Sequence, residues 1–221
     1  MRMGILSRLM HLVTMRRPIT AHILITLSIL MSACSVQDSI EDREAPATVK
    51  VPVEMKTAVI GAGCFWCVES FYEHLDGVSN AVSGYAGGKE SNPTYYEVAR
   101  GQTTHAEVVQ VIYDPQVISY RELIDFFWST HDATRSDGVA PDFGPQYRSI
   151  LLYQNDTEKE VIEASRLKYE TETGKQIATD IKTLDIFYPA ENYHQDYAKK
   201  NPNDRYIQGI LNPKLKKLGF K

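Results

Sequence analysis

Apolar positions first form a usable pattern at Thr57-Ala58-Val59-Ile60, a short run that stops at Gly61-Ala62-Gly63 and gives way to helical spacing through Leu75. This predicts a strand, a tight turn and a helix, with Cys64 at the helix N-terminus. Val78 to Tyr85 reads as a second strand, ended by Gly87-Gly88. Pro93-Thr94-Tyr95-Tyr96 leads into His105 to Tyr113, whose alternation predicts a third strand. Leu123, Ile124, Phe127 and Trp128 recur at helical spacing, so Tyr120 to Thr130 is expected to be a helix with one buried face. A long loop rich in Asp, Gly and Pro spans His131 to Gln146. After it come a strand over Ser149 to Tyr153, a charged helix from Thr157 to Thr173 capped by Gly174, and a strand from Ile181 to Tyr188. The tail after Pro202 has little period and is expected to wrap the domain. Strands and helices alternate without an internal repeat, which predicts mixed α/β structure in two layers.

Upstream of Lys56 the pattern changes. Residues 34–55 are polar and acidic, with Asp38, Glu41, Asp42, Glu44, Pro46 and Pro52, and are read as a flexible tether. About 20 residues, fully stretched, reach roughly 65 Å. Residues 1–33 are read as an export signal: arginines up to Arg17 precede an apolar stretch from Ile19 to Ala33 that ends in small residues. That stretch holds Thr20, His22, Thr26 and Ser28, and is too short and polar for a comfortable membrane-spanning helix, which needs about 20 mostly apolar residues. Ser32-Ala33-Cys34 resembles the lipobox of bacterial lipoproteins, with Met31 where Leu is usual, so Cys34 is expected to carry lipid. The alternative is an uncleaved anchor, or cleavage near Ala33 with Cys34 a bystander thiol. Met15 would begin a shorter signal and is an alternative start. The expected location is the bacterial cell envelope, on the periplasmic side or the cell surface.

Charge narrows the function classes. Residues 1–33 hold four of the 24 basic residues and no acid, which leaves 20 basic against 28 acidic residues in the remainder. With no basic stripe interleaved with aromatics, there is no electrostatic footprint for nucleic acid. A 221-residue chain that is 43% hydrophobic suffices for one ordinary domain, placed at 56–221 and expected to be a monomer.

The candidate chemistry lies in Gly63-Cys64-Phe65-Trp66-Cys67. Cys64 and Cys67 stand at i and i+3, where side chains on a helix are neighbours, so a disulfide needs only modest adjustment. A helix N-terminus favours thiolate, so the Cys64 pKa is expected to be lowered. A static disulfide across two residues would constrain the unfolded chain very little, and a zinc site would have only His74 nearby as a nitrogen ligand, so a redox role is favoured. No bound cofactor or metal is expected. Glu107 shares a strand face with Val109, Val111 and Tyr113. Desolvation there would raise its pKa and keep a proton on it, although an edge strand would turn it to water. A C-x-x-C pair on its own also suits a thioredoxin-like disulfide oxidoreductase, or a binding lipoprotein in which the cysteines are structural.

Several motifs taken together resemble the A class of peptide methionine sulfoxide reductases, specific for the S epimer. They are Gly63-Cys64-Phe65-Trp66, Gly84-Tyr85-Ala86-Gly87-Gly88, Pro93-Thr94-Tyr95, Thr104-His105-Ala106-Glu107-Val108, Asp142 to Ser149 around Gln146-Tyr147-Arg148, and Tyr193-His194-Gln195. The resemblance runs from Val59 to Tyr197. It implies an α+β fold, a two-layer sandwich with a mixed sheet and a ferredoxin-like core. It also implies that Cys64 attacks the sulfoxide sulfur, that Glu107 is the acid, and that Tyr95 and Tyr147 bond to the oxygen. Phe65 and Trp66 would take the methyl group, on methionine S-sulfoxide either free or within an oxidised protein. Asp142 and His194 match site positions, with a loop-capping Asp and a helix-surface His as the alternatives. Many relatives have Gly in place of Cys67 and resolving cysteines in the tail. Here no cysteine follows Cys67, so a Cys64–Cys67 disulfide recycled by a thioredoxin-like or other dithiol reductant is expected.

Overall fold

The computed structural model describes residues 52 and 54–220. The expected export signal, Cys34 and nearly all of the expected tether lie outside the described residues.

Among the described residues, eight strands and six helices follow one another as β1 (Lys56–Ala62), α1 (Phe65–Glu73), β2 (Val78–Ala86), α2 (Tyr95–Ala99), β3 (Ala106–Tyr113) and α3 (Tyr120–Thr130), then β4 (Gly138–Val139), β5 (Asp142–Phe143), β6 (Ser149–Tyr153) and α4 (Asp156–Thr173), and finally β7 (Asp180–Thr183), β8 (Tyr188–Pro189), α5 (Tyr197–Lys200) and α6 (Asn212–Lys217). The main sheet has the order β7-β6-β1-β3-β2-β8, antiparallel except where β6 meets β7. Its inner four strands, β6-β1-β3-β2, with α1 and α3 as connections, form the expected ferredoxin-like core within a mixed sheet.

Local sequence explains the helix ends. Ser119 and Glu122 form a reciprocal capping box at the start of α3, and Thr94 and Glu97 form one on α2. Asn155 caps α4, which Gly174 ends in the left-handed conformation.

The sheet's two faces are unequal. Ala58, Ile60, Ala81, Tyr85, Val109, Val111 and Leu151 join α1 and α3 residues such as Val68, Phe71, Leu123 and Phe127 in the larger core. Val59, Ala86, Ala106, Val108, Ile150 and Leu152 form a smaller cluster on the other face, covered by Leu184 and Phe187.

Three expectations change. The single strand expected from Ile181 to Tyr188 is two short strands at opposite edges of the sheet, because the chain between them leaves β7 to lay Leu184 and Phe187 on the smaller cluster. The loop from His131 to Gln146 contains the two-stranded ribbon β4–β5. The tail does wrap the domain, but as ordered structure: a π-helical turn at Ile207–Leu211 runs into α6, with Ile207 and Leu211 in the core.

Candidate active site

Gly63 makes the approach to the site possible. Its φ of +93° is a left-handed backbone that side chains resist, and a Cβ there would lie 2.8 Å from Cβ of Val139. The next residue, Cys64, is the N-cap of α1, and the backbone N–H of Cys67 donates to the Cys64 carbonyl at 3.0 Å. The two thiols thus share the first turn of α1, buried and unlinked.

Burial, with the Cys67 contact and the Glu107 charge adding to it, pushes the Cys64 thiol well above its ordinary value. This corrects the sequence expectation: the helix end favours thiolate, but desolvation of a nearly enclosed sulfur outweighs it. Cys67 shifts the other way, first through its hydrogen bond with Cys64 and then through the Lys214 charge.

Glu107 points into the main core as the alternation predicts, and is 1% exposed. The edge-strand alternative fails because β3 lies inside the sheet, between β1 and β2. The Phe65 backbone N–H donates to Glu107 Oε2 at 3.0 Å. Burial raises this carboxyl to about 8, even though the Phe65 hydrogen bond pulls it down. With Oε2 accepting that bond, the acid proton of the neutral form belongs on Oε1.

An aromatic box surrounds the thiol. Phe65 is stacked with Tyr95 at 6.3 Å between centroids, and His194 lies 5.0 Å from Phe65 and 4.2 Å from Tyr95. Trp66 stacks face to face on Tyr197 at 3.7 Å and donates its Nε1–H to His194 Nδ1 at 3.1 Å. His194 is therefore not a helix-surface residue: it is buried, and it leaves Nε2 without a hydrogen-bond partner among the described residues. Burial lowers its pKa to about 4, so the ring is neutral at physiological pH and Nε2 carries the proton. Burial likewise raises Tyr95 to about 12, with the Glu107 charge next in effect. Tyr147, which ends a 3-10 turn at Pro145–Tyr147, is raised by the same two causes and lies within electrostatic reach of Glu107, Tyr95 and Cys64. Both phenols remain donors at any physiological pH.

Asp142 is not a loop cap. Its Oδ2 accepts a 2.5 Å hydrogen bond from Tyr206, whose hydroxyl also accepts from Cys67 Sγ at 3.8 Å. All nine sequence-derived residues of the folded part thus gather around one site, while Cys34 lies outside the described residues.

The arrangement, a buried thiol beside a protonated carboxyl, two phenol donors and an apolar box, suits reductive removal of a hydrogen-bond-accepting oxygen from a group with apolar substituents. The family model for peptide methionine sulfoxide reductase matches residues 56–220. The chain belongs to the peptide methionine sulfoxide reductase family. A relative from Natronomonas pharaonis, peptide methionine sulfoxide reductase MsrA, is 49% identical over 72% of this chain and 90% of its own. Another MsrA, from Nautilia profundicola, is 46% identical over 74% of this chain and 94% of its own. Among solved structures, reduced Mxr1 from Saccharomyces cerevisiae matches with a TM-score of 0.67 and 40% identity, over 71% of this chain and 92% of that one. Methionine sulfoxide reductase A of Corynebacterium diphtheriae matches with a TM-score of 0.63 and 32% identity, over 72% of this chain and 83% of that one. The reductase is thus an A-class peptide methionine sulfoxide reductase, and the thioredoxin-like and binding-lipoprotein readings fall away.

Sequence reasoning missed several supporting residues of the reductase. Tyr206 lies in the weakly patterned tail after Pro202, and Tyr197 closes the resembling stretch outside its quoted motifs. Glu69 did leave one, since it is a carboxylate among Val68, Phe71 and Tyr72 on a buried helix. It accepts from Ser83 Oγ and, at 2.5 Å, from the Asp196 backbone N–H, and so anchors the turn that carries His194. Burial raises Glu69 to about 7. Glu69, Glu73 and Asp196 lie close enough together to suggest a cation site, but Lys199 Nζ already sits 2.6 Å from Glu73 and 3.2 Å from Asp196.

Proposed function

We propose that the reductase acts on the S epimer of methionine sulfoxide, free or in oxidised proteins, with Cys64 as the attacking thiol and Cys67 as the resolver. The observation that carries this is the Glu107 carboxyl, 1% exposed and raised to about 8, which holds its proton near neutral pH beside a buried thiol. Sulfoxide sulfur is a poor electrophile until its oxygen is protonated. Glu107 supplies that proton from Oε1, while Tyr95 and Tyr147 donate to the same oxygen. Phe65 and Trp66 receive the methyl group, with Trp66 fixed by His194 and Tyr197. The Nε2–H of His194 is available to a polar group of the substrate.

Cys64 Sγ bonds to the sulfur as its own proton joins the one from Glu107 on the oxygen, and the S–O bond breaks with loss of water. A water molecule then attacks Cys64 Sγ, the sulfur–sulfur bond breaks, a proton returns to Glu107, and methionine departs to leave Cys64 as a sulfenic acid: thiol and sulfoxide become sulfenic acid and thioether. Cys67 then attacks the sulfenic sulfur, a disulfide forms and water leaves. A thioredoxin-like dithiol returns the pair to thiols and is itself oxidised to a disulfide. Because burial keeps Cys64 protonated without substrate, the resting enzyme does not display a reactive thiolate.

The same reading places the enzyme outside the cytoplasm as a repair lipoprotein, held by lipid on Cys34 through the 34–55 tether. Its support is the order of charged, apolar and small residues before Cys34, and metabolic labelling with a radiolabelled fatty acid tests it: Cys34→Ala should abolish incorporation. The catalytic reading is tested by offering the two sulfoxide epimers separately. Methionine should form from the S epimer, with at most trace product from R. Reduction of the R epimer alone would overturn it.

A further inference from the structure

The helix that carries Tyr95 cannot aim it unaided. α2 is five residues long, and a helix so short takes its orientation from the groups that hold it rather than from its own hydrogen bonds. Its capping box joins Thr94 and Glu97 to each other and leaves the Tyr95 backbone N–H, one of the donors of the first turn, without a partner inside the helix. That N–H donates instead to Glu191 Oε1 at 2.8 Å, across 96 residues of sequence.

The second oxygen of the same carboxylate is committed as well. Glu191 Oε2 accepts from the Tyr85 hydroxyl at 2.8 Å. Tyr85 is buried on β2, inside the sheet between β3 and β8, and its ring lies 5.9 Å from that of Phe65. The backbone around Glu191 is fixed too. The Ala190 N–H donates to the Ser83 carbonyl and the His194 N–H to the Glu191 carbonyl, each at 2.9 Å. The far end of α2 is tied down by Gln146, whose Nε2 donates to the Ala99 carbonyl at 3.1 Å, one residue before Tyr147. The side chain of Glu191 therefore joins the start of α2 to the sheet, while its main chain joins the sheet to the turn of His194.

We infer that Glu191 is a positioning residue, which aims the Tyr95 hydroxyl at the sulfoxide oxygen by bracing the start of α2 against Tyr85. The inference rests on the proposed role of Tyr95 as a donor to that oxygen. The two ends of the substrate depend on Glu191 through different atoms. Its carboxylate governs the oxygen end, whereas His194, and through it Trp66 at the methyl end, depends on its backbone carbonyl, which a side-chain substitution leaves in place. Loss of the carboxylate should slow the chemical step and leave sulfoxide binding nearly unchanged. A general loosening of the turn would release His194 and Trp66 and weaken binding in equal measure.

The test is a double-mutant cycle on single-turnover release of methionine from the S-sulfoxide, with Glu191→Ala and Tyr95→Phe made singly and together. Each single substitution should slow release about tenfold. The double variant should be about as slow as either alone, because a hydroxyl that is no longer aimed has little left to lose. For Glu191→Ala the half-saturating sulfoxide concentration should stay within about twofold of the parent value. Glu191→Gln should release methionine within about threefold of the parent rate, since its amide can accept from the Tyr95 N–H and donate to the Tyr85 hydroxyl. Should Glu191→Ala fail to fold, the same cycle is run with Tyr85→Phe, which keeps the buried ring and removes only the brace. Its slower release should likewise vanish as a separate effect once Tyr95 is Phe. Losses that multiply in the double variant, or binding weakened as much as the rate, would overturn the positioning role. If Tyr95→Phe alone releases methionine at the parent rate, the donor reading of Tyr95 fails first and the positioning role with it.

Discussion

At the scale of single residues, the proposed mechanism turns on Glu107, whose buried carboxyl is raised to about 8. Glu107→Gln keeps the shape and the Phe65 hydrogen bond but removes the acid proton, so single-turnover methionine release should fall by about 10² to 10⁴ in rapid-quench experiments. Parent activity that depends on this acid should decline as pH rises through about 8. Stability moves with it: between about 4.5, the ordinary value, and about 8 the folded chain holds a proton that the unfolded chain has lost. Rising pH across that window therefore destabilises the fold, and the whole penalty is present above it. Urea titrations at pH 8 should show Glu107→Gln to be more stable than the parent, by something on the order of a few kcal/mol, despite its lost activity. Tyr206→Phe should act on the second half of the cycle. It leaves the half-buried Asp142 carboxylate without its phenol partner and Cys67 without its contact. Disulfide formation, followed by quenched-flow thiol alkylation, should slow by roughly tenfold while the first methionine is released at the parent rate.

At the scale of elements, the helix caps and strand alternation were legible because they are local. The helix over Tyr120 to Thr130 and the strand over Ser149 to Tyr153 have the bounds that the sequence predicts, and Gly174 ends its helix as expected. Ile181 to Tyr188 misled because its β-rich composition says nothing about which edge each part joins. The Cys64 pKa misled for a related reason: the helix end is a local feature, whereas the burial that overrides it comes from residues far along the chain. The turn before α1 tolerates little change. Gly63→Ala would force an alanine into a left-handed backbone and against Val139, so thermal denaturation should show a loss on the order of 2 kcal/mol or more. The turn carrying His194 is anchored by Glu69 and by Gln195, whose amide bonds the backbone of Ser83 and Ala190. His194→Ala frees Trp66 Nε1 and should raise KM for the sulfoxide, roughly tenfold, more than it lowers kcat.

At the scale of the whole molecule, the site draws on the β1–α1 turn, β3, α2, the ribbon and 3-10 turn before β6, and the C-terminal tail. The motifs from Gly63 to His194 were readable because each carries unusual residues in a fixed order. The tail after Pro202 was not, since its contribution consists of Tyr206 on Asp142 and two apolar side chains, Ile207 and Leu211, in the core, and neither was Tyr197 under Trp66, just before it. The cysteine arithmetic depends on this architecture. With Cys64 and Cys67 in one helical turn, the proposed recycling needs no thiol from the tail, whose Tyr206 contacts Cys67. The most direct test of this account is peptide mapping of the fully reduced protein after reaction with one equivalent of methionine S-sulfoxide and no added reductant. The expected result is one methionine released per chain and a Cys64–Cys67 disulfide. A persistent sulfenic acid on Cys64, with Cys67 still a free thiol, would contradict it.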